Sequence, residues 1–570
     1  MLGGEMDSNW RVNFLLILFI LVGFLISARL FYWQIFSFSD LAALAENQHW
    51  ISFEIPAKRG EILASDGAPL ASNEEAFLVF ASLPEIKDKV DLIADKLAPL
   101  LEPDNPATMA GLIKERLARS DLVWVPLKHE VSRETKSEIE SLELDGIGFE
   151  EEQKRSYPEA SASAHLLGFV GSDINGQPKG YFGLEGYYDL ELKGRPGLLR
   201  REKDASGKPI LIGEVEREEE RDGRTLLTTI DRTIQYLISE KLQEGLQRYG
   251  ASSGSVVVME PKTGAILGMA AWPNYNPENY VAFDKGLYPN PAVSFSYEPG
   301  STFKVLVMSA ALNEGAVKPE TRCDQCSGPR IISGYTLKTW NEKYFPNSTM
   351  TEVIQHSDNV GMVFVGEKLG KEKMVEYLQK FGLGQPTGVD LEDETSPKLR
   401  PLEEWRQIDL ATVCFGQGIA LTPLQMTRAV ASIANGGYLV TPFVVQKVIS
   451  EEGVSEIRPK IGEQILKSAT TMMMTEMMVN AVDNGEAKWA KPKGYRIAGK
   501  TGTAQIPVAG HYDQEKTIAS FVGFAPADEP QFVMLVTLRE PSSSPWGAET
   551  AAPLWFDIAK EIFTYKKIQL

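Results

Sequence analysis

One stretch near the start of the chain is apolar almost throughout. From Val12 to Phe36 only Asn13, Ser27, Arg29 and Gln34 interrupt it. A helix of that length, at ~1.5 Å per residue, spans the ~30 Å hydrocarbon core of a bilayer. Arg29 lies late enough for its head to reach the interface, and Tyr32 and Trp33 suit an interfacial belt. A cleaved secretory signal is the rival reading, with Ser27 and Ala28 as its small residues. Ile26, two positions before Ala28, makes a poor cleavage site, and the apolar run continues past it. The stretch 12–36 therefore reads as an uncleaved anchor behind a short N-terminus, 1–11. Flanking charge marks orientation weakly, because Arg11 is offset by Glu5 and Asp7.

Beyond the anchor the pattern becomes mixed. Residues 41–220 alternate helical and strand periodicities and contain no catalytic cluster. Pro56 to Asn73 is turn-rich, and the helical pattern from Asp91 to Arg119 is broken by Pro99, Pro103 and Pro106. The charged run Glu214 to Arg224 predicts a solvated linker or hairpin, with a domain boundary beside it. That divides the chain into 41–224 and 225–570. In the second part Thr225 to Ile230 predicts a strand, and Asp231 an N-cap for a helix over Arg232–Arg248. Ser255–Met259 and Ala265–Ala271 are apolar and β-rich. They flank Pro261-Lys262-Thr263-Gly264, so they predict a core hairpin.

Composition narrows the classes. At 570 residues the chain is long for one domain, and its formal net charge of -19 argues against a nucleic-acid surface. Of three cysteines, Cys323 and Cys326 form one Cys-x-x-Cys and Cys414 stands apart. One pair is too few for a structural zinc site, so these are ordinary thiols or one small disulfide. His49, His129, His165, His356 and His511 fit no ligand spacing, and no metal or cofactor is expected.

The candidate chemistry lies in three short elements. Ser301-Thr302-Phe303-Lys304 follows Pro299-Gly300 and opens the apolar segment Val305 to Leu312, which Gly315 ends. This predicts a buried helix with Ser301 in its first turn, where the helix dipole favours a developing oxyanion. Lys304 shares the helix face of Ser301, and burial would lower its pKa enough to serve as a base. Ser357-Asp358-Asn359 is the second element. A Ser357 hydroxyl beside Lys304 could relay a proton, and Asn359 could hold a substrate peptide group. The third is Lys500-Thr501-Gly502-Thr503, after a predicted strand edge at Tyr495–Ala498. Gly502 would let a substrate backbone approach. Lys500, Thr501 and Thr503 could hold a carboxylate, and an N–H here with that of Ser301 could form an oxyanion hole. Lys262-Thr263-Gly264 repeats part of this pattern, but inside the hairpin turn it reads as structural. The acidic residues between Ser357 and Lys500, Glu392 and Asp393 among them, read as surface charges. Glu298 reads as facing away, which leaves no strong candidate for a deacylating carboxylate.

Each tripeptide alone is common, but the ordered set is the signature of penicillin-binding proteins and class A β-lactamases. The C-terminal part resembles the transpeptidase domain of penicillin-binding proteins. Arg59-Gly60-Glu61-Ile62, Arg155-Ser156-Tyr157-Pro158 and Gly183-Leu184-Glu185-Gly186-Tyr187-Tyr188 resemble the pedestal motifs of the class B, high-molecular-weight type. Gly416-Gln417-Gly418 and Thr550-Ala551-Ala552-Pro553 resemble later motifs of that domain. Ala64-Ser65 departs from the family's Asp-Arg before the turn glycine Gly67, with looser pedestal packing as the expected consequence.

The resemblance implies an α+β multidomain fold: a transmembrane helix, a mixed α/β pedestal of dimerisation type, and a β-lactamase-like domain with an antiparallel sheet covered by helices. It implies a peptidoglycan D,D-transpeptidase that cross-links stem peptides through a serine acyl-enzyme and is blocked covalently by β-lactams. Ser301, Lys304, Ser357, Asn359 and Lys500 would be catalytic, with Thr501, Gly502 and Thr503 binding substrate. The implied location is the cytoplasmic membrane, single-pass, with the catalytic domain outside. A polytopic glycosyltransferase and division or elongation proteins are the implied partners. The rivals are a carboxypeptidase or β-lactamase, in which water resolves the acyl-enzyme, and a scaffold or sensor that binds β-lactams without turnover. The anchor and pedestal argue against a hydrolase, and the intact motifs against dead chemistry.

Overall fold

The computed structural model describes residues 9–42, 50–86, 90–119, 121–174, 176–203, 210, 215–508 and 511–568. The apolar N-terminal run forms helix α1 (Asn9–Phe31), continued by a π-helical turn over Tyr32–Phe36. It is exposed along its length, and among the described residues Trp10–Phe36 is the one helix long and apolar enough to cross a membrane. The Arg29 guanidinium lies 4.8 Å from the Trp33 ring centroid, so the charge rests on an aromatic face.

Two compact units divide the chain, Met1–Lys58 with Gly194–Asp222, and Arg59–Lys193 with Gly223–Leu570. The first contains α1 and a three-stranded antiparallel sheet of Trp50–Ile55, Gly197–Glu202 and Val215–Glu218. Part of the charged run forms the exposed strand Val215–Glu218, which pairs with Gly197–Glu202, so the run supplies one strand of an antiparallel pair and is not a hairpin by itself.

In the second unit, the long strand Pro69–Ser82 pairs with Trp124–Val131 and Ile147–Ser156. The broken helical pattern resolves into helices Val90–Leu101 and Pro106–Leu117, packed together. Three separate sequence motifs meet beside this sheet. Arg59 and Arg155 each donate through Nε at 2.7 Å to opposite oxygens of Glu185, which is fully buried. Arg59 also reaches Asp189 at 2.9 Å, and Arg155 reaches Asn73 at 2.9 Å. Burial alone would raise the Glu185 pKa, but Arg155 and Arg59 overcome it and hold the carboxyl below its usual value. Ala64 is fully buried, and the Ser65 amide donates to the Ile230 carbonyl at 2.9 Å, so the departure at these positions leaves no gap.

Glu392 is not the surface charge its sequence context suggested. Half-buried, it accepts from the Phe182 amide, while Asp390 accepts from Tyr188 Oη at 2.9 Å and from the Val444 and Val445 amides at 2.7 and 2.8 Å. Both carboxylates fasten the Gly183 motif to the C-terminal half. Asp393 is exposed, as expected.

Asp231 caps helix α2 (Arg232–Tyr249), accepting from the Thr233 and Ile234 amides. A five-stranded antiparallel sheet follows, built from β1 (Ser253–Met259), β2 (Ile266–Trp272), β3 (Ala498–Val508), β4 (His511–Ala525) and β5 (Phe532–Arg539). Its order is β2-β1-β5-β4-β3, which leaves β3 at an edge. Strands β1 and β5 are apolar on both faces because helices cover both. Val256, Val258, Met534 and Val536 pack with α2 and the C-terminal helix Ala551–Tyr565. Val257, Met259, Val533 and Leu535 face the helical layer that carries Phe303, Val305 and Met308. The Lys262-Thr263-Gly264 repeat sits in the β1–β2 turn, with Lys262 exposed and Thr263 bonded to Glu260.

Candidate active site

Ser301 enters the helical layer through a single 3-10 turn, Gly300–Phe303, that runs into helix α3 (Lys304–Asn313). The turn is clamped on two sides. Gly416 accepts from the Gly300 amide at 3.1 Å, and a Cβ on Gly416 would lie 2.1 Å from the Gly300 carbonyl oxygen. Gly418 donates to Glu298 Oε1 at 3.0 Å, which gives that carboxylate a bracing contact. Gly502 packs against the same turn from the sheet edge. A Cβ there would lie 2.7 Å from Thr302 Cγ2 and 2.4 Å from Ser520 Oγ. Glycine at 502 therefore lets β3 close onto the Ser301 turn, a different reason from the open approach that the sequence suggested. Strand β3 itself begins at Ala498, while Tyr495 lies outside it and stacks on Phe563 at 4.1 Å.

Lys304 is fully buried. Its Nζ donates to the Ser357 carbonyl and to Asn359 Oδ1 at 2.7 Å, and lies 3.2 Å from Ser357 Oγ. Ser357 adopts φ 54, in the left-handed region that non-glycine residues avoid. That conformation turns both its carbonyl and its hydroxyl toward Lys304. Asp358 caps helix α4 (Asn359–Leu369) through the Val360 and Gly361 amides, and Asn359 Nδ2 donates to the Lys338 carbonyl at 3.0 Å. Lys500 approaches from β3, its Nζ 3.0 Å from Ser357 Oγ, 3.1 Å from Thr501 Oγ1 and 3.2 Å from the Thr501 carbonyl. Thr503 Oγ1 accepts from the Gly547 amide at 3.0 Å.

The three elements, far apart in sequence, thus form one row, Lys304–Ser357–Lys500, beside Ser301. Burial, then the neighbouring Lys500 charge, pushes the Lys304 pKa well below the usual lysine value, with Asp358 and Glu486 partly opposing. Burial lowers Lys500 to about 8, again against Glu486. The cleft over this row is lined by Ser301, Ser357, Asn359 and Thr501–Thr503, with Lys304 and Lys500 outside its lining. It is also lined by Trp340, Phe415, Glu486 and Trp546, which no local pattern singled out. Trp340 and Trp546 pack at 4.8 Å from separate loops and wall one side. Among the acids between Ser357 and Lys500, which read as surface charges, Glu486 instead lines the cleft.

Cys323 and Cys326 are disulfide-bonded and buried, and Cys414 is a buried free thiol. His356 stacks on Phe345 at 3.9 Å, His165 reaches the Leu287 carbonyl at 2.9 Å, and His129 reaches Glu152 at 2.7 Å. His49 and the His511 side chain lie outside the described residues.

Residues 254–564 match the penicillin binding protein transpeptidase domain, and residues 54–228 match the penicillin-binding protein dimerisation domain. The chain is 34% identical to stage V sporulation protein D of Bacillus subtilis, over 97% of this chain and 85% of that protein. It is 31% identical to penicillin-binding protein PbpB of Mycobacterium tuberculosis, over 97% and 84%. Among solved structures, a peptidoglycan synthetase from Bifidobacterium adolescentis superposes with a TM-score of 0.72 at 26% identity, covering 91% of this chain and 97% of that one. Penicillin binding protein 3 of Mycobacterium tuberculosis, solved with aztreonam, gives 0.70 at 27% identity, covering 91% and 98%. With a dimerisation region ahead of a transpeptidase domain and relatives along nearly its whole length, the chain belongs to the class B penicillin-binding proteins, the serine D,D-transpeptidases of peptidoglycan.

Proposed function

We propose that Ser301 is the nucleophile, Lys304 its base, Ser357 the proton relay, and Asn359 and Lys500 the groups that hold the donor peptide with Thr501, Gly502 and Thr503. The observation that carries this reading is the position of Ser357 Oγ, 3.2 Å from one buried lysine and 3.0 Å from the other, in the cleft that holds Ser301. A neutral Lys304 suits its surroundings. Two of its N–H groups face carbonyl oxygens of Ser357 and Asn359, which leaves the lone pair for a hydroxyl proton. Lys500, kept charged at neutral pH, attracts the carboxylate that ends a stem peptide.

In the first half-reaction Ser301 Oγ bonds to the carbonyl carbon of the penultimate D-alanine as its proton passes to Lys304. The peptide C–N bond then breaks, and terminal D-alanine leaves with a proton delivered through Ser357. In the second, an amine of another stem peptide bonds to the acyl carbon and the ester to Ser301 breaks. A β-lactam enters the first half-reaction and stops there. Region 41–224 serves as the non-catalytic pedestal and 225–570 as the catalytic domain. α1 holds the chain in the cytoplasmic membrane with the catalytic domain outside, where a glycosyltransferase and division or elongation proteins would meet it.

Two results follow. Protein recovered from cell membranes begins ahead of Val12, and an N-terminus near Arg29 would mean a cleaved signal instead. Penicilloyl-Ser301 persists in plain buffer, followed by intact mass over time. Clearance within seconds would make the enzyme a hydrolase.

A further inference from the structure

Glu486 lines the cleft as a charged group that the reaction above brings into contact with no reactant, although its charge opposes the lowering of the Lys304 and Lys500 pKa values. It follows helix Ser468–Asn484, and Gly485 fixes it beside the second motif. The Gly485 amide donates to Ala481 at 3.1 Å, and a Cβ on Gly485 would lie 3.1 Å from the Gln355 carbonyl oxygen, two residues before Ser357. Asn480 Nδ2 donates to Gln355 Oε1 at 2.9 Å and ties the same helix to the same segment. Glu486 Oε1 is nevertheless buried with no hydrogen-bond partner, although its charge acts on Lys304 and Lys500. A buried carboxylate oxygen without a donor is costly unless a ligand supplies one.

The chemistry of the reaction narrows the ligand. The donor peptide ends in a carboxylate, which Glu486 repels and Lys500 attracts, so Glu486 does not belong to the donor end. The remaining reactant is a primary amine, which is cationic until it attacks. Water, the competitor for the same acyl carbon, is neutral and gains far less from a buried negative charge.

We infer that Glu486 receives the acceptor amine, its unpartnered Oε1 taking an N–H of the incoming nitrogen beside acyl-Ser301. This deepens the transpeptidase reading and rests on it. The ammonium releases one proton to solvent and becomes the nucleophile. Its nitrogen then bonds to the acyl carbon, the carbon–Oγ bond breaks, and a second N–H proton returns to Ser301 Oγ through Lys304. Glu486 ends the cycle as the carboxylate it began as. It is a specificity-determining residue, favouring amine over water.

The test separates the half-reactions in full-length, detergent-solubilised protein. Acylation is read with penicillin, and partitioning is read with a thioester donor shared between water and a D-amino acid acceptor. The expected result for Glu486→Gln is a fall of about tenfold or more in the ratio of aminolysis to acylation, the scale of one charged hydrogen bond. The acceptor KM should rise, with Glu486→Asp recovering part of the loss. Equal losses in both half-reactions would overturn the inference, because Glu486 would then act only through the lysines. Slower hydrolysis with an unchanged rate of aminolysis would overturn it too, by assigning the carboxylate to water. Absence of any Ser301 acylation in the unsubstituted protein would instead remove the transpeptidase reading itself.

Discussion

Ser301→Ala is expected to lose covalent penicillin labelling completely, with acylation falling on the order of 10⁶-fold, the scale seen when a serine hydrolase loses its nucleophile. The expectation rests on position. Ser301 sits in the turn that opens α3, clamped by Gly416 and Gly502 and facing the Lys304–Ser357–Lys500 row. A hydroxyl elsewhere in the cleft lacks that placement. Ser357 Oγ is held between two lysines, and Thr501 Oγ1 is engaged by Lys500. Intact-mass analysis of the full-length variant, followed by peptide mapping of the parent protein, reads the result. Labelling of the alanine variant at the parent's rate would remove Ser301 from the reaction.

Lys304→Ala is expected to slow acylation at least ~10²-fold, the low end of what a positioned general base contributes. Lys262→Ala, in the repeated Lys-Thr-Gly of the β1–β2 turn, should leave it nearly intact, since Lys262 is exposed outside the cleft. The pH profile distinguishes a base from a merely structural lysine. Lys304 must be neutral to take a proton, and burial beside Lys500 pushes its pKa well below the ordinary lysine value. Acylation therefore rises with pH through that lowered pKa. Lys500 must stay charged to hold a carboxylate, so acylation falls as pH passes about 8. Lys304→Ala should lose the rising limb and retain the falling one. A parent profile without a rising limb, or equal behaviour of the two alanine variants, would contradict the assignment.

The parts of the cleft differ in how far the chain order reveals them. Ser301, Lys304, Ser357, Asn359 and Lys500 belong to short motifs whose order is itself informative, so they could be named in advance. Trp340 and Trp546 come from separate loops and meet only by packing. Glu486 follows a helix whose end is placed by Gln355, a contact between residues over a hundred positions apart. Nothing near Glu486 in sequence distinguishes it from Glu392, which proved to be a fastening between distant segments.

Local chemistry along the chain was enough for the apolar span of α1, the Asp231 cap, the β1–β2 hairpin and the buried helix behind Ser301. Each depends on interactions within a few residues: side-chain period, a cap, a turn, or continuous apolarity. The pedestal motifs were visible as separate strings, but their purpose was not. Only folding brings Arg59 and Arg155 onto the two oxygens of Glu185, a contact across 126 and 30 residues of sequence. The same holds for charge. Lys304 and Lys500 look like ordinary lysines until burial lowers the pKa of both, and the Lys500 charge lowers Lys304 further. Sequence chose the reacting groups; tertiary structure set their ionisation and brought Glu486 beside them, because desolvation and field depend on neighbours that the chain order does not reveal.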